Sequence, residues 1–148
     1  MSELAERIRN DVKAAMKSGD RTRLSTLRLL ASELHNRRIE LGRDLTDDDA
    51  MEVLTRALKK RREAEEVYAQ RGREDRAATE AAEAAVIEEY LPERLDAAAL
   101  DALIDEAVAA SGASTAKDMG RVMGWLMPRI KGRADGAEVS RKVKERLT

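Results

Sequence analysis

Apolar residues recur every three or four positions along almost the whole chain, and small residues interrupt them at regular intervals. Leu4, Ile8, Val12 and Met16 lie four apart, between Ser2, whose hydroxyl suits a helix N-cap, and Gly19, which suits a helix end. A second helix is predicted from about Asp20 to Gly42, with Leu24, Leu27, Ala31, Leu34, Arg38 and Leu41 on a mostly apolar stripe. Thr46 then suits the cap of a third, which carries Asp47, Asp48 and Asp49 in its first turn, where the helix dipole favours anions. Val53, Leu54, Ala57, Leu58, Arg61 and Tyr68 follow, and Gly72 closes it. A fourth, Ala- and Glu-rich segment runs from Glu74 to Tyr90.

Leu91-Pro92 interrupts the pattern, because proline disfavours helix in the residue before it. The expected domain boundary lies there, with residues 92–95 as a short connection. Beyond it, Asp96 to Gly112 holds a short fifth helix marked by Leu100, Leu103, Ile104, Ala107 and Val108. Ser114 or Thr115 starts a sixth, and Pro128 inside its pattern predicts a kink or stop near Met127. After Lys131-Gly132-Arg133-Ala134-Asp135-Gly136 a last helix carries Val139, Val143 and Leu147. The expected fold is all-α, with a four-helix N-terminal lobe (1–91) followed by a smaller three-helix C-terminal lobe (96–148).

Composition agrees. In 148 residues, 43% are hydrophobic, 39% are charged and only 2% are aromatic, with no Phe. A sheet would draw on β-branched and aromatic runs, and this mixture supplies mostly Ala, Leu, Val and Met. Two Pro and eight Gly leave few turns. A chain of this size buries about 68–70% of its unfolded surface, enough to fold without staples.

Several chemistries lack their parts. Without Cys there are no disulfides, no thiol catalysis and no thiolate zinc site, and one His rules out His-pair metal sites. His35 alone, beside Glu33, Arg37 and Arg38, reads as a surface or packing residue rather than a base. Gly112-Ala113-Ser114-Thr115-Ala116-Lys117 lacks the second Gly before Lys and the hydroxyl residue after it, so it is not a phosphate loop. Consecutive acids on a helix diverge, so Asp47–Asp49 reads as first-turn stabilisation rather than a cation site. No nucleophile, base and orienter can be assembled, and no cofactor is expected. No apolar run approaches the roughly 18 residues of a membrane span, and charge begins at Glu3. The expectation is a cytoplasmic protein with no membrane partner.

The net charge of −1 hides strong blocks. Residues 1–43 hold ten Lys/Arg against six Asp/Glu, and residues 44–55 hold five acids and no base. Arg56, Lys59, Lys60, Arg61 and Arg62 follow, suiting a solvated helix face on which Arg62 and Glu66 can pair at i,i+4. Residues 117–148 have nine bases and four acids. There Arg129, Lys131 and Arg133 flank a glycine turn, and Arg141, Lys142, Lys144 and Arg146 lie away from the apolar stripe. Gly132 and Gly136 allow close approach of backbone N–H groups, so this loop could hold a phosphate. Equally, Gly132 can end one helix and Asp135 cap the next, with the bases as ordinary surface.

In the sixth helix, Ala116, Gly120 and Gly124 line one edge beside Met119, Met123 and Met127. Each helix-interior Gly costs about 1 kcal/mol against Ala. The expectation is therefore that another backbone packs closely there, in the core or as a Met-lined partner groove. Trp125, off that stripe, is expected between core and surface.

The C-terminal strings Gly112-Ala113, Lys117-Asp118-Met119-Gly120-Arg121-Val122-Met123, Leu126-Met127-Pro128, Lys131-Gly132-Arg133-Ala134-Asp135-Gly136 and Val143-Lys144 resemble the signature of the YqeY (GatB/YqeY) family. So do Leu27-Arg28-Leu29-Leu30 with Asn36 and Ile39-Glu40, Gly72-Arg73-Glu74-Asp75, and Glu88-Glu89-Tyr90-Leu91-Pro92. Glu33 and His35 depart from the small residue and the Lys more usual in that helix.

The family's C-terminal part is similar to the tail of the B subunit of the aspartyl/glutamyl-tRNA amidotransferase, which helps to hold tRNA. The resemblance implies binding of tRNA or another structured RNA, with amidotransferase subunits or a tRNA synthetase as protein partners. It also implies a possible kinship label of carbon–nitrogen ligase with glutamine as amido-N-donor, although the chain lacks the amidase Ser-Ser-Lys machinery. The residues expected to meet phosphate are Arg129, Lys131, Gly132, Arg133, Gly136, Arg141, Lys142 and Lys144. Few aromatics are available for stacking, which favours backbone recognition over single-strand reading. Two other readings stay open, an accessory amidotransferase component and a protein–protein adaptor using the Met and small-residue stripe.

Overall fold

The computed structural model describes residues 2–148 and contains seven α-helices and, among the described residues, no strand. They are α1 (Glu3–Ser18), α2 (Arg21–Leu41), α3 (Asp47–Gln70), α4 (Glu74–Glu88), α5 (Ala97–Ser111), α6 (Met119–Ile130) and α7 (Gly136–Leu147), with a 3-10 turn at Ala116–Asp118. The all-α expectation holds. The chain divides into two compact units, Met1–Pro92 and Glu93–Thr148.

Capping residues set most helix boundaries. Ser2, Asp20, Thr46, Asp96 and Asp135 each accept a backbone N–H from the first turn of their helix, and Gly19, Gly42 and Gly112 close theirs in the left-handed conformation. Asp47 does more than stabilise its own first turn. Its carboxylate accepts Ser2 Oγ at 2.5 Å and Leu4 N at 3.1 Å, joining the starts of α1 and α3. Asp49 closes a capping box with Thr46 and pairs with Arg43 at 2.7 Å.

In the N-terminal unit α3 packs along α4 and α1 along α2, and α2 also meets α3 and α4. The core is Ile8, Ala15, Leu27, Leu30, Leu34, Leu45, Leu54, Leu58, Ala84 and Ile87 with their smaller neighbours. Two threonines enter it, Thr26 and Thr55, and each donates its hydroxyl to the carbonyl four residues back. Arg61 departs from the expected solvated block. It is 7% exposed, and its Nε lies 3.3 Å from the Glu83 carboxylate without aiming a hydrogen bond at it. The apolar register Leu54–Leu58–Arg61 carries it inward, and α4 supplies the counter-charge. The expected Arg62–Glu66 pair is replaced as well. Arg62 reaches Glu65 at 2.8 Å and Glu88 at 2.7 Å, because α4 lies within its span.

Tyr90, 5% exposed, sits just after α4 and ties that end to α1 and α2. Its hydroxyl donates to Asp11 at 2.5 Å and accepts from Arg23 Nη2 at 3.2 Å, while Arg23 also pairs with Glu89. The Arg7 guanidinium lies 4.6 Å from the ring centre. Burial and the neighbouring Asp11 carboxylate push the Tyr90 phenol well above its usual range, so it stays a donor.

In the C-terminal unit α6 packs against α5 and α7, around Leu100, Ile104, Val122, Leu126, Ile130, Val139, Val143 and Leu147. Of the kink or stop expected near Met127, the stop does not occur there, and α6 continues three residues further, to Ile130. Pro128 lacks the N–H that would bond Gly124, but it stands in the last turn, where few such bonds remain. Buried Leu126 and Ile130 anchor that turn to the core.

The Tyr90→Phe substitution removes the donor to Asp11 and should lower stability by about 1–2 kcal/mol in urea unfolding. An unchanged midpoint would show that the clasp adds nothing. Hydrogen bonds hold the Asp47 and Asp49 carboxyls below the usual carboxylate range, from Ser2 to Asp47 and from Arg43 to Asp49. Their contribution is complete above the unfolded value of about 3.9 and lost as the pH falls through the folded ones. Unfolding free energy should therefore drop between about pH 5 and 2, less steeply in Asp47→Asn.

Candidate functional site

The loop between α6 and α7 begins at Ile130, whose carbonyl accepts Arg133 N at 2.8 Å and Ala134 N at 3.2 Å. Gly132, at φ +72°, makes the reversal and is buried. The loop is strapped to the segment that enters this unit. Leu95 N donates to the Arg133 carbonyl at 2.9 Å, Arg133 Nε donates to the Glu93 carbonyl at 2.9 Å, and Arg94 donates to the Gly132 carbonyl at 3.3 Å. Arg94 was not singled out in the sequence. Its role depends on a contact 38 positions away, and no local signal marks it.

The other expected phosphate-contact residues are dispersed. Arg129 lies over the Trp125 ring, 3.7 Å from its centre, and donates to the Trp125 carbonyl at 2.5 Å. Trp125 is half-buried against the core, as its position off the stripe implied. On α7, Lys142 pairs with Asp101 of α5 at 3.1 Å, Arg146 with Asp105 at 3.1 Å, and Arg141 with Glu145 at 3.0 Å. These six side chains line an open groove of about 420 Å³ between α5 and α7, carrying as many acids as bases. Lys131 and Lys144 are exposed, and Gly136 opens α7. The structure thus brings Gly132 and Arg133 to the linker, Lys142 to α5 and Arg129 to Trp125, and leaves Lys131, Arg141 and Lys144 facing outward.

Before α6, the Asp118 carboxylate accepts Ser114 N at 2.9 Å and Thr115 N at 3.2 Å and also holds Arg121. Those backbone donors, with Arg121, lower the Asp118 carboxyl to about 2. The glycine edge behaves differently from the expectation of close packing. Gly120 and Gly124 are exposed, and a Cβ at either would meet nothing within 4 Å. Met119 and Met123 turn inward instead, while Met127 is 40% exposed. Among the described residues no group of three His, Cys, Asp or Glu could hold a metal ion, and no helix is long and apolar enough to cross a membrane.

The family model described as Yqey-like protein matches residues 5–147, through both units and every helix. The chain belongs to the Yqey-like family. It is also 31% identical over 144 residues to altered inheritance of mitochondria protein 41, mitochondrial, from Pyrenophora tritici-repentis (strain Pt-1C-BFP). That match covers 94% of this chain and 78% of the relative. In this Yqey-like chain the string Lys117-Asp118-Met119-Gly120 forms the capped entry to α6. The string from Lys131 to Gly136 forms the strapped turn.

The two kinds of glycine should respond oppositely in thermal melts. Gly132→Ala forces a Cβ into the left-handed region and should cost about 1–2 kcal/mol. Gly124→Ala fills open space in a helix and should gain about 0.5–1 kcal/mol. A loss at Gly124 would mean that something does pack on that edge.

Proposed function

We propose that this protein is a helical RNA-binding module, not catalytic by itself, that holds tRNA or a similarly structured RNA through its phosphate backbone. In this reading it is related to the tRNA-holding tail of glutamine-dependent aspartyl/glutamyl-tRNA amidotransferase. Family membership and the C-terminal strings support that kinship. The observation that carries the reading is the character of the C-terminal ion pairs. Arg141–Glu145 and Arg146–Asp105 have side chains more than half exposed at both ends. Such pairs contribute at most about 1 kcal/mol, so a phosphate can replace the carboxylate at small cost. Lys131 and Lys144 add charge on the exposed surface.

The lack of aromatic platforms is consistent with contact to backbone rather than to splayed bases. Trp125 already carries Arg129 on its ring. Cytoplasmic residence belongs to the same proposal, and what the function requires is a compartment that contains tRNA.

A second reading is favoured by the open edge of α6. Exposed Gly120 and Gly124 beside Met127 could admit a partner helix, making the protein an adaptor or an accessory component of an amidotransferase. A carbon–nitrogen ligase activity with glutamine as donor would then belong to the complex.

Fluorescence titration with bulk tRNA tests the first reading. Wild-type protein should bind at low salt, with affinity falling as salt rises. Lys131→Glu/Lys144→Glu should weaken binding about tenfold or more while leaving the helical circular dichroism unchanged. Absence of binding by folded wild type at low salt would remove the RNA reading and leave the adaptor.

A further inference from the structure

The N-terminal unit carries a second basic surface, outside the segment considered so far. Of the ten Lys/Arg in residues 1–43, five are engaged. Arg7 lies over Tyr90, Arg23 holds Glu89 and Tyr90, Arg37 pairs with Glu40, Arg38 with Asp44 and Arg43 with Asp49. The other five, Arg9, Lys13, Lys17, Arg21 and Arg28, are exposed and make no ion pair among the described residues.

These five are not scattered. Arg9, Lys13 and Lys17 are four apart on α1, and Arg21 and Arg28 are two turns apart on α2, with His35 two turns further. Arg7 and Arg9 stand on opposite flanks of buried Ile8, one turned to Tyr90 and the other away from it. The two rows meet at an open pocket of about 270 Å³, where Arg9 faces His35 and Arg38 across a floor that includes Ala31 and Leu34.

Acids largely point elsewhere. Asp11 takes the Tyr90 hydroxyl, Asp20 caps α2, and Glu33 precedes Leu34 on the flank opposite His35. Glu6, which shares the α1 register, Asp44, paired with Arg38, and Asp47, which accepts from the pocket-lining Ser2, accompany the rows.

The geometry points to the α1–α2 hairpin face as a contact surface for an RNA backbone, in addition to the C-terminal unit. From Arg21 to Arg38 the helix rises about 25 Å, a length over which one strand of a duplex presents several phosphates. A lipid surface would be held by a contiguous apolar face, and here Met16, Leu29 and Ile39 are exposed on separate turns while the other large apolar residues of α1 and α2 belong to the core or pack against it. A protein partner would be anchored by aromatic hot spots, and these rows contain none.

This inference rests on the RNA reading above, and the test separates the two. Bulk tRNA and a 20-base-pair RNA duplex are titrated against wild type, Arg9→Gln/Lys13→Gln/Arg28→Gln, Lys131→Gln/Lys144→Gln, and a control of equal charge change on α3 and the residue that follows it, Arg56→Gln/Lys60→Gln/Arg71→Gln. The first variant should lose affinity about tenfold or more at physiological salt. Its slope of log affinity against log salt should fall by about two to three, since each duplex phosphate contact contributes about 0.9. The control should bind like wild type.

Wild-type affinity and slope in the α1–α2 variant would overturn this inference and leave the RNA reading standing. No wild-type binding to either RNA at low salt would overturn both. Capture of wild type but not of the α1–α2 variant by phosphatidylserine vesicles, without RNA binding, would assign the face to lipid and overturn the inference as well.

Discussion

The hydrogen bond from the Tyr90 hydroxyl to Asp11 organises the polar side of the N-terminal unit. It reaches from the end of α4 to α1, and Arg23 closes the arrangement from α2 while also holding Glu89. A buried phenol needs a partner, and a partly buried carboxylate needs a donor. Each supplies the other. With Arg7 and Arg23 held on this side, Arg9, Lys13, Lys17, Arg21 and Arg28 are left elsewhere on α1 and α2 without an ion pair among the described residues. The clasp thus positions three helices and also sorts the charge.

The C-terminal unit handles charge differently. It has ten bases and nine acids, and α5 sets Asp101 and Asp105 against Lys142 and Arg146. Its local excess at 117–148 is largely offset by acids from the preceding helix. The pairs are exposed, so they reduce the unit's long-range field more than they hold the bases in place. The turn from Lys131 to Gly136 is at the same time a strap, with Arg133 and the Gly132 carbonyl taken up by residues 93–95. One sequence string therefore combines a structural half, directed at the linker, with an outward half that includes Lys131.

The small-residue edge of α6 shows how composition and position separate. Two glycines in a twelve-residue helix lower its intrinsic stability, and no neighbouring backbone in the described residues makes use of the space. The helix is held instead by Val122, Leu126 and Ile130 on its other side, with Met119 and Met123 filling in around them.

Helix number, type and most boundaries were legible in the sequence, because they depend on neighbours within four positions. Ser2, Asp20, Thr46, Asp96 and Asp135 sit where their side chains meet the first turn, and Gly19, Gly42 and Gly112 where the chain must enter the left-handed region. Pro128 does not stop α6, because the last turn of a helix tolerates what its middle does not. The candidate site was legible only as a list of bases. Which bases are engaged depends on residues dozens of positions away: Asp101 for Lys142, Glu93 for Arg133, Glu83 for Arg61, Tyr90 for Arg7. The excess of bases in residues 1–43 was countable from the start. Only the packed helices decided which five of them stay without an ion pair, because a charge's partner is chosen by distance in space and local pattern carries no record of it.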